Sequence, residues 1–388
     1  MKIFDQKGGY WPTPQQELLL KAALLQGAES ILSWDKWIDG INLQAIDFGS
    51  QRLLPLLMMN LGAQGVSHPA IAKFKGIYRL SWYRNQMLFN EIAPIIRSLQ
   101  DAGIETMILK GAALVVDYYK NPGLRPMDDF DLLVPTLKIR LAIAQFGKLM
   151  GNPVKKLENL NDTNIIYQRA FHFVNQSGNQ LDLHRHILFG TLEEDADQDF
   201  WEAAIPTRLG DTPTLTLNPT DQLLHTLVHG LSWNEVHSLR WVADALVILR
   251  TAPTIDWNRL IFQSKKREVL LTVSEGLQYL SDRLHAPIPP DILDRVQSIS
   301  ISPGDRMQYR IFSRSHGLPG ILLRHWYTYT MYFAGASSWL RRLWGFPSFL
   351  KHFWKLSYLV QVPIVAGIKS IELLGDWWKR TFPSKKRP

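Results

Sequence analysis

The sequence of 388 residues contains no cysteine. A chain without thiols has no disulfide framework, no cysteine-based zinc site and no thiol nucleophile. Long apolar runs are also missing, because the stretch 359–368 is interrupted by Gln361 and Pro363. A membrane-spanning helix needs about 20 apolar residues. We therefore predict that the chain is not an integral membrane protein.

Acidic residues are scarce at the C-terminal end. Residues 320–388 hold eleven Lys or Arg and two acidic residues, a net charge of +9, which leaves −1 for residues 1–319. Binding to a nucleic-acid backbone needs a basic surface, so this distribution argues against a nucleic-acid partner. The first nine residues lack the apolar segment of a signal peptide, and we expect a cytoplasmic protein.

The basic end, residues 321–388, holds six of the fourteen tryptophans. Tryptophan with Lys or Arg at helical spacing is typical of an interfacial helix on an anionic membrane. The same composition suits a docking face for an acidic partner protein, or a helical cap packed on the core. The sequence leaves these alternatives open, including peripheral membrane contact.

The first hundred residues are predicted to be helical. Thr13, Pro14 and Gln16 form an N-cap, a first-turn proline and a capping-box partner. A second helix is expected near 30–37. Apolar residues at three- and four-residue spacing predict a long helix over 70–99.

The pattern changes after Gly103 to short apolar runs separated by turns. We predict strands at 106–109, 130–134, 163–168, 170–175 and 180–184, and helices at 112–119 and 136–150. The last two strands would be joined by a hairpin turn at 177–179. From about Glu193 the chain is predicted to be helical again. This organisation indicates an α+β fold, a small mixed sheet flanked by N-terminal and C-terminal helical regions. The predicted regions are 1–100, 101–190, 191–320 and 321–388.

Two carboxylates are expected on one face of a predicted strand. Asp129 and Asp131 are two residues apart, and strand side chains alternate between faces, so Phe130 would point into the core. Like charges held side by side destabilise a fold unless cations neutralise them. Asp182 lies on a later strand with the same alternation. Three carboxylates on adjacent strands favour Mg²⁺ and phosphoryl chemistry.

These segments resemble the DNA polymerase β nucleotidyltransferase superfamily. More narrowly, the chain is similar to the bacterial family of uncharacterised nucleotidyltransferases, whose members often accompany genes for peptide or polysaccharide biosynthesis. The motifs that carry the resemblance are Leu109-Lys110-Gly111-Ala112-Ala113-Leu114, Gly123-Leu124-Arg125-Pro126-Met127-Asp128-Asp129-Phe130-Asp131-Leu132-Leu133-Val134 and Leu181-Asp182-Leu183-His184. They lie within residues 105–190, and a weaker likeness extends to 239–244.

The resemblance implies metal-binding and catalytic roles for three residues. Asp129 and Asp131 would each bind Mg²⁺, and Asp182 would hold the second metal and help deprotonate an acceptor hydroxyl. Two Mg²⁺ ions are implied, with Mn²⁺ as a substitute.

The resemblance also implies nucleotide-binding residues. The backbone at Gly111 and Ala112 would approach the triphosphate at a helix N-terminus. Lys110 and Arg125 would neutralise phosphate charge, and His184 shares the predicted face of Asp182. The superfamily's Gly-Ser is Gly111-Ala112 here, which removes a hydroxyl contact to phosphate.

Five other polar residues have a simpler explanation. Asp128 is predicted to point away from Asp129 as a structural residue or turn cap, and His186 is predicted to be incidental. His225 and His229 are spaced as in a zinc helix, but the required Glu is absent, so we expect a core or cleft wall. Asp244 is expected to pair with Arg240 one helical turn away rather than with Arg125.

The combined hypothesis is an enzyme that transfers a nucleoside monophosphate, or a phosphoryl group, from a nucleoside triphosphate. The donor would be ATP and the acceptor a hydroxyl group of a small molecule, sugar or peptide. The alternative is a catalytically inactive binding or regulatory module with the same fold in a biosynthetic complex.

Overall fold

The structure is a computed structural model that describes residues 9–149, 165, 168–175, 177–188, 193–232, 238–313, 318–332, 339–354, 356–368 and 371. The chain divides into two compact units. The first consists of Met1–Asn159, Arg169–Phe189 and Glu194–Ser313, and the second of Leu160–Gln168, Gly190–Glu193 and Arg314–Pro388.

Helices make up most of the first unit. In chain order they are α1 (Pro14–Leu24), α2 (Gly27–Gly40), α3 (Phe48–Gln51), α4 (Leu54–Ala63), α5 (Ala70–Asp101), α6 (Lys110–Ala113), α7 (Ile139–Leu149), α8 (Gln198–Glu202), α9 (Pro219–Gly230), α10 (Arg240–Thr251), α11 (Trp257–Lys266), α12 (Leu270–Leu284), α13 (Pro290–Ser298) and α14 (Pro303–Phe312). A π-helical segment, Leu114–Tyr119, continues α6, and a 3₁₀ turn, Thr136–Lys138, precedes α7.

A six-stranded mixed sheet lies within this unit, as the predicted α+β class requires. Its strands are β1 (Met107–Ile108), β2 (Asp129–Leu133), β3 (Ala170–Val174), β4 (Gln180–His184), β5 (Ile205–Leu209) and β6 (Thr212–Thr216). Their spatial order is β3-β4-β2-β1-β6-β5. Strand β2 runs parallel to β4, and β1 runs parallel to β6, while the other neighbouring pairs are antiparallel.

One face of the sheet is covered by apolar packing. The ring of Phe130 on β2 meets that of Phe89 on α5 edge to face, with centroids 6.3 Å apart. The rings of Phe173 on β3 and Phe146 on α7 lie 5.1 Å apart. Because strand side chains alternate, this packing turns Asp129, Asp131 and their neighbours to the opposite face.

The N-terminal and C-terminal helices of this unit share one hydrophobic core. Trp11 packs against Trp241 of α10 and Tyr279 of α12, with ring centroids 5.8 and 5.2 Å apart. The indole N–H of Trp241 donates to the carbonyl of Tyr10. The predicted capping box at the start of α1 is present, because Thr13 and Gln16 bond reciprocally.

The prediction that the chain is helical again from about Glu193 omitted two strands. Strands β5 and β6 form a hairpin around Gly210 and Asp211, and β6 pairs with β1 at Leu215. The strand predicted at 163–168 falls largely outside the described residues. The predicted strands 130–134 and 180–184 are present within one residue of their expected bounds.

The second unit contains α15 (Leu318–Tyr332), α16 (Trp339–Phe353) and α17 (361–368). Tyr329, Phe349, Leu350 and Val362 form a small hydrophobic core of its own. Several apolar side chains of this unit are exposed: Tyr358, Leu359, Val360, Ile364, Ile368 and Ile371. None of the helices that the structure describes combines the length and apolarity needed to cross a bilayer.

Candidate active site

Strand register brings the predicted carboxylates together. In the parallel β2–β4 pair, Asp131 lies directly opposite Asp182, and in the antiparallel β3–β4 pair, His172 lies opposite Asp182. Directly opposed side chains on one face are close enough to interact. The result is a row of three polar residues across adjacent strands.

Short hydrogen bonds join this row to two further residues. His184 Nε2 lies 2.7 Å from the Oδ1 atom of Asp131, and the ammonium of Lys110 lies 2.6 Å from the same oxygen. His172 Nδ1 lies 2.8 Å from Asp182 Oδ1. Lys110, which begins α6, has a positive φ of 45°, so its side chain enters the site from a left-handed backbone.

The two carboxylates of the Asp-x-Asp pair have different electrostatic surroundings. Burial alone would raise the pKa of Asp131, but the charge of Lys110 and the His184 hydrogen bond outweigh it and hold the pKa well below its usual range. Burial, followed by the charge of Asp131, raises the pKa of Asp129. Asp129 therefore lies in surroundings that favour a nearby cation.

A divalent cation fits this donor set. Asp131, Asp182 and His184 each offer a ligand atom, and these atoms lie within 4.8 Å of one another. The two carboxylate oxygens suit Mg²⁺ or Mn²⁺, whereas an imidazole nitrogen is a ligand that suits Zn²⁺ and other transition metals. Asp129 lies two residues before Asp131 on the same face of β2.

The carboxylates of β2 border a cavity of about 330 Å³. Its other walls come from α6, the loop before β2, and helices α9 and α10. Seven charged residues besides Asp131 line it: Arg52, Lys110, Arg125, Asp128, Asp129, Arg240 and Asp244. Counting Asp131, four of these side chains are cationic and four are acidic, and such a concave site suits a small polar ligand.

The loop that carries Arg125 is fixed by buried polar contacts. The guanidinium donates from Nε and Nη2 to the two oxygens of Asp244, both at 2.9 Å, and the Tyr119 hydroxyl donates to the same carboxylate. On the other side of the loop, the Asn85 amide donates to the carbonyls of Pro122 and Arg125. The expected local pair of Asp244 with Arg240 was therefore wrong.

Gly111 gives Arg125 the space for this arrangement. A Cβ at Gly111 would lie 2.7 Å from both Arg125 Nη1 and the sulfur of Met127. Real Cβ atoms do not approach so closely, so a side chain here would displace the guanidinium. Ala112, the next residue, is buried. Contact of these two residues with a nucleotide stays a prediction.

Helix α9 presents one polar face to the cavity. Gln222, His225, Thr226 and His229 line it, so the expectation of a cleft wall is confirmed for the two histidines. Within the described residues, neither ring nitrogen of His225 nor the side-chain oxygen of Gln222 has a hydrogen-bond partner. Burial lowers the pKa of His225 to about 3, which keeps this imidazole neutral.

The structure also shows where Asp128 and His186 lie and which residues they contact. Asp128 lies before the first residue of β2, so strand alternation does not apply to it, and it borders the cavity and pairs with Arg52. His186 is buried, and its Nδ1 lies 3.0 Å from Asp197 Oδ2. The predicted opposite orientation of Asp128 was wrong.

Three residues at the site were not predicted from the sequence. His172 alternates with Phe171 and Phe173, a signal that places it on a polar face but does not name its neighbour. Arg52 and Arg240 lie 58 or more residues from the motifs' carboxylates. Arg52 lies outside every motif, and the weaker likeness at 239–244 gave Arg240 no role at the site. Only the tertiary fold brings them together.

A second groove, of about 560 Å³, runs along α1 and α2. Four of its charged residues pair with each other, since Lys21 contacts Glu29 and Arg283 contacts Glu17. The groove holds none of the carboxylates of the sheet. The cavity beside β2 is therefore the candidate active site.

Comparison with known proteins gives one match. The model of a protein family described as an uncharacterised nucleotidyltransferase matches residues 49–285. The match spans the sheet and the cavity residues from Arg52 to Asp244. Comparisons with curated proteins and with solved structures gave no match.

Proposed function

Because the chain belongs to the family of uncharacterised nucleotidyltransferases, we propose that it transfers a nucleoside monophosphate from a nucleoside triphosphate to a hydroxyl group. ATP is the donor we favour, and the acceptor is a small molecule, a sugar or a peptide. The observation that supports this proposal most directly is the Asp131–Asp182–His184 cluster beside a cavity that is lined by four cationic and four acidic side chains.

Asp129, Asp131 and Asp182 would hold Mg²⁺, two ions in the full complex, with Mn²⁺ as a substitute. Bound there, the metal would neutralise negative charge that develops on the phosphates during transfer. His184 would orient Asp131 through its 2.7 Å contact. Lys110 would balance the charge of Asp131 and face the incoming phosphates.

Asp182 is the carboxylate we assign to proton transfer. Its side chain is 26 % exposed, against 3 % for Asp131, so an acceptor hydroxyl can reach it. His172 orients it through Nδ1. As the hydroxyl oxygen bonds to the α-phosphorus, its proton passes to Asp182, the bond to the β-phosphate bridge breaks, and pyrophosphate leaves.

The proposal is tested with ATP labelled at either the α- or the γ-phosphorus. The full-length protein is incubated with Mg²⁺, each label and mixtures of candidate acceptors, and label transfer and pyrophosphate release are measured. Transfer of α-label supports nucleotidyl transfer, and transfer of γ-label alone would replace it with phosphoryl transfer. Asp129→Asn and Asp131→Asn should each lower the rate by at least about 100-fold, as removal of one electrostatic contact does elsewhere.

The matched control is Asp101→Asn, an exposed residue at the end of α5. It removes one carboxylate from the surface and should leave transfer unchanged. Full turnover by either site variant would refute the proposal. Calorimetry that shows nucleotide binding without transfer of any label would favour the inactive binding module.

A further inference from the structure

Three arginines from distant parts of the sequence line the cavity beside Asp129. Arg52 follows α3, Arg125 lies in the loop before β2, and Arg240 begins α10. Burial, followed by the charges of Arg240 and Arg125, lowers the pKa of Arg52 to about 9. Burial, followed by Arg125, lowers the pKa of Arg240 to about 10. Like charges placed close together are unfavourable unless opposite charges neutralise them.

Three ion pairs form among the charged side chains that line the cavity. One cationic and one acidic side chain of the lining belong to none of these pairs. Arg52 pairs with Asp128, Lys110 with Asp131, and Arg125 with Asp244. Among the described residues, neither Arg240 nor Asp129 has an oppositely charged partner within 4.0 Å.

Arg240 is held by a contact that does not neutralise its charge. Its Nη1 donates to the carbonyl of Pro126 at 2.7 Å, just before the Asp-x-Asp strand. The remaining guanidinium N–H groups keep their capacity to donate, since arginine has five in a planar fork. Pro126 thereby fixes the guanidinium at the cavity wall.

The guanidinium of Arg52 is also held in place at the cavity wall by its neighbours. Its guanidinium lies over the ring of Phe48, 4.2 Å from the centroid, and its partner Asp128 is half exposed. The buried Nε of Arg52 has no hydrogen-bond partner within the described part of the chain.

We infer that Arg240, with Arg52 beside it, binds the β- and γ-phosphates of the nucleoside triphosphate. This inference rests on the proposed function and deepens it by assigning the polyphosphate subsite. A metal–polyphosphate complex carries a cation and adjoining anionic phosphates. The cation matches the unpaired carboxylate of Asp129, and the phosphates match the unpaired guanidinium of Arg240. Planar guanidinium groups suit phosphate oxygens because they bind them through two parallel hydrogen bonds.

The test measures binding of inorganic tripolyphosphate to the full-length protein by calorimetry, with EDTA and separately with Mg²⁺. This probe carries the phosphates without base or sugar. Arg240→Met should weaken binding at least about tenfold in both conditions, because a hydrogen bond to a charged group contributes about 1.5–3 kcal/mol and 1.4 kcal/mol is tenfold. Arg240→Lys should keep part of the affinity, and Arg52→Met should weaken binding further when combined with Arg240→Met.

The matched control is Arg295→Met on α13, an exposed arginine that contacts Asn258. It should leave binding unchanged. The melting temperature of ligand-free Arg240→Met should stay close to that of the wild type, because relief of the repulsion with Arg125 offsets the loss of the hydrogen bond to Pro126. A purely structural arginine would instead lower it.

Unchanged tripolyphosphate binding by Arg240→Met, or no binding by the wild type, would overturn the inference. Weaker tripolyphosphate binding that is accompanied by a lowered melting temperature in both Arg240→Met and Arg240→Lys would also overturn the inference. The proposed function fails separately: tripolyphosphate binding through Arg240 without transfer of any label would refute nucleotidyl transfer and leave the phosphate subsite standing.

Discussion

The buried pair of Arg125 and Asp244 should be strongly coupled energetically. Their side chains are 8 % and 6 % exposed, and two parallel hydrogen bonds of 2.9 Å join them. Burial alone would lower the pKa of Arg125, but the charge of Asp244 outweighs it and raises the pKa. Each charge is therefore tolerated in the interior because the other is present.

The expected magnitude follows from this burial. Asp244→Leu leaves an unpaired guanidinium and removes the acceptor of the Tyr119 hydroxyl. Arg125→Met leaves Asp244 with that hydroxyl alone. Breaking a buried pair from one side costs about 3–5 kcal/mol, whereas replacing both members by apolar residues of similar volume is often nearly neutral. The double variant should be no less stable than either single variant, a coupling of at least about 3 kcal/mol.

Urea unfolding of the full-length protein measures this coupling. The four proteins of the cycle are compared at pH 7 by tryptophan fluorescence and circular dichroism, at 0.1 and 1 M salt. A buried pair is weakly screened, so the coupling should persist at high salt. Additive losses, or a coupling below about 1 kcal/mol that disappears in salt, would show that the pair behaves as an exposed one and would refute the argument.

Two further predictions concern other parts of the molecule. Burial would raise the pKa of Asp199, but hydrogen bonds from Arg267 and Lys266 lower it, so its stabilisation is present above the unfolded value near 3.9 and is lost as pH falls. Asp199→Asn should therefore reduce the unfolding free energy at pH 7 by roughly 1–3 kcal/mol, a difference that shrinks below about pH 4; a difference independent of pH contradicts this. In the second unit, replacing the exposed Ile364 and Ile368 by serine should lower sedimentation with anionic vesicles at least about tenfold, because both would bury apolar area in the interface. Leu32→Ser, at an equally exposed position of α2, is the control, and equal sedimentation of all three proteins would exclude the membrane role.

Local sequence signals predicted the elements in which those signals are strong. The capping box at Thr13 and the alternation of Asp129, Phe130 and Asp131 each specify a conformation within a few residues. The β5–β6 hairpin was missed because Pro206 and Pro213 interrupt its strands, and proline argues against a central strand. Its Gly210-Asp211 turn, with a φ of 58° at the glycine, was the available signal.

The residues that line the cavity could not all be predicted from the sequence, because they are brought together by contacts between residues that are far apart along the chain. A four-residue spacing favours Asp244 with Arg240, but Asp244 instead binds Arg125, 119 residues away, in a bidentate pair. The two parallel hydrogen bonds between a planar guanidinium and a carboxylate are stronger than a pairing between residues one helical turn apart. For the same reason Arg240 was predicted to pair with Asp244 on the helix, whereas the fold places it at the cavity wall with its guanidinium bonded to the carbonyl of Pro126.

The register of β2 and β4 links correct folding to assembly of the cluster. If β4 slipped by one residue, Leu181 or Leu183 would lie beside Asp131, and Asp182 would turn toward the aromatic side of the sheet. The slip that removes Asp182 from the cluster thus also buries a charge among Phe130 and its neighbours. Molecules that have misassembled this cluster are consequently unstable molecules, which unfold and can fold again instead of persisting as inactive copies.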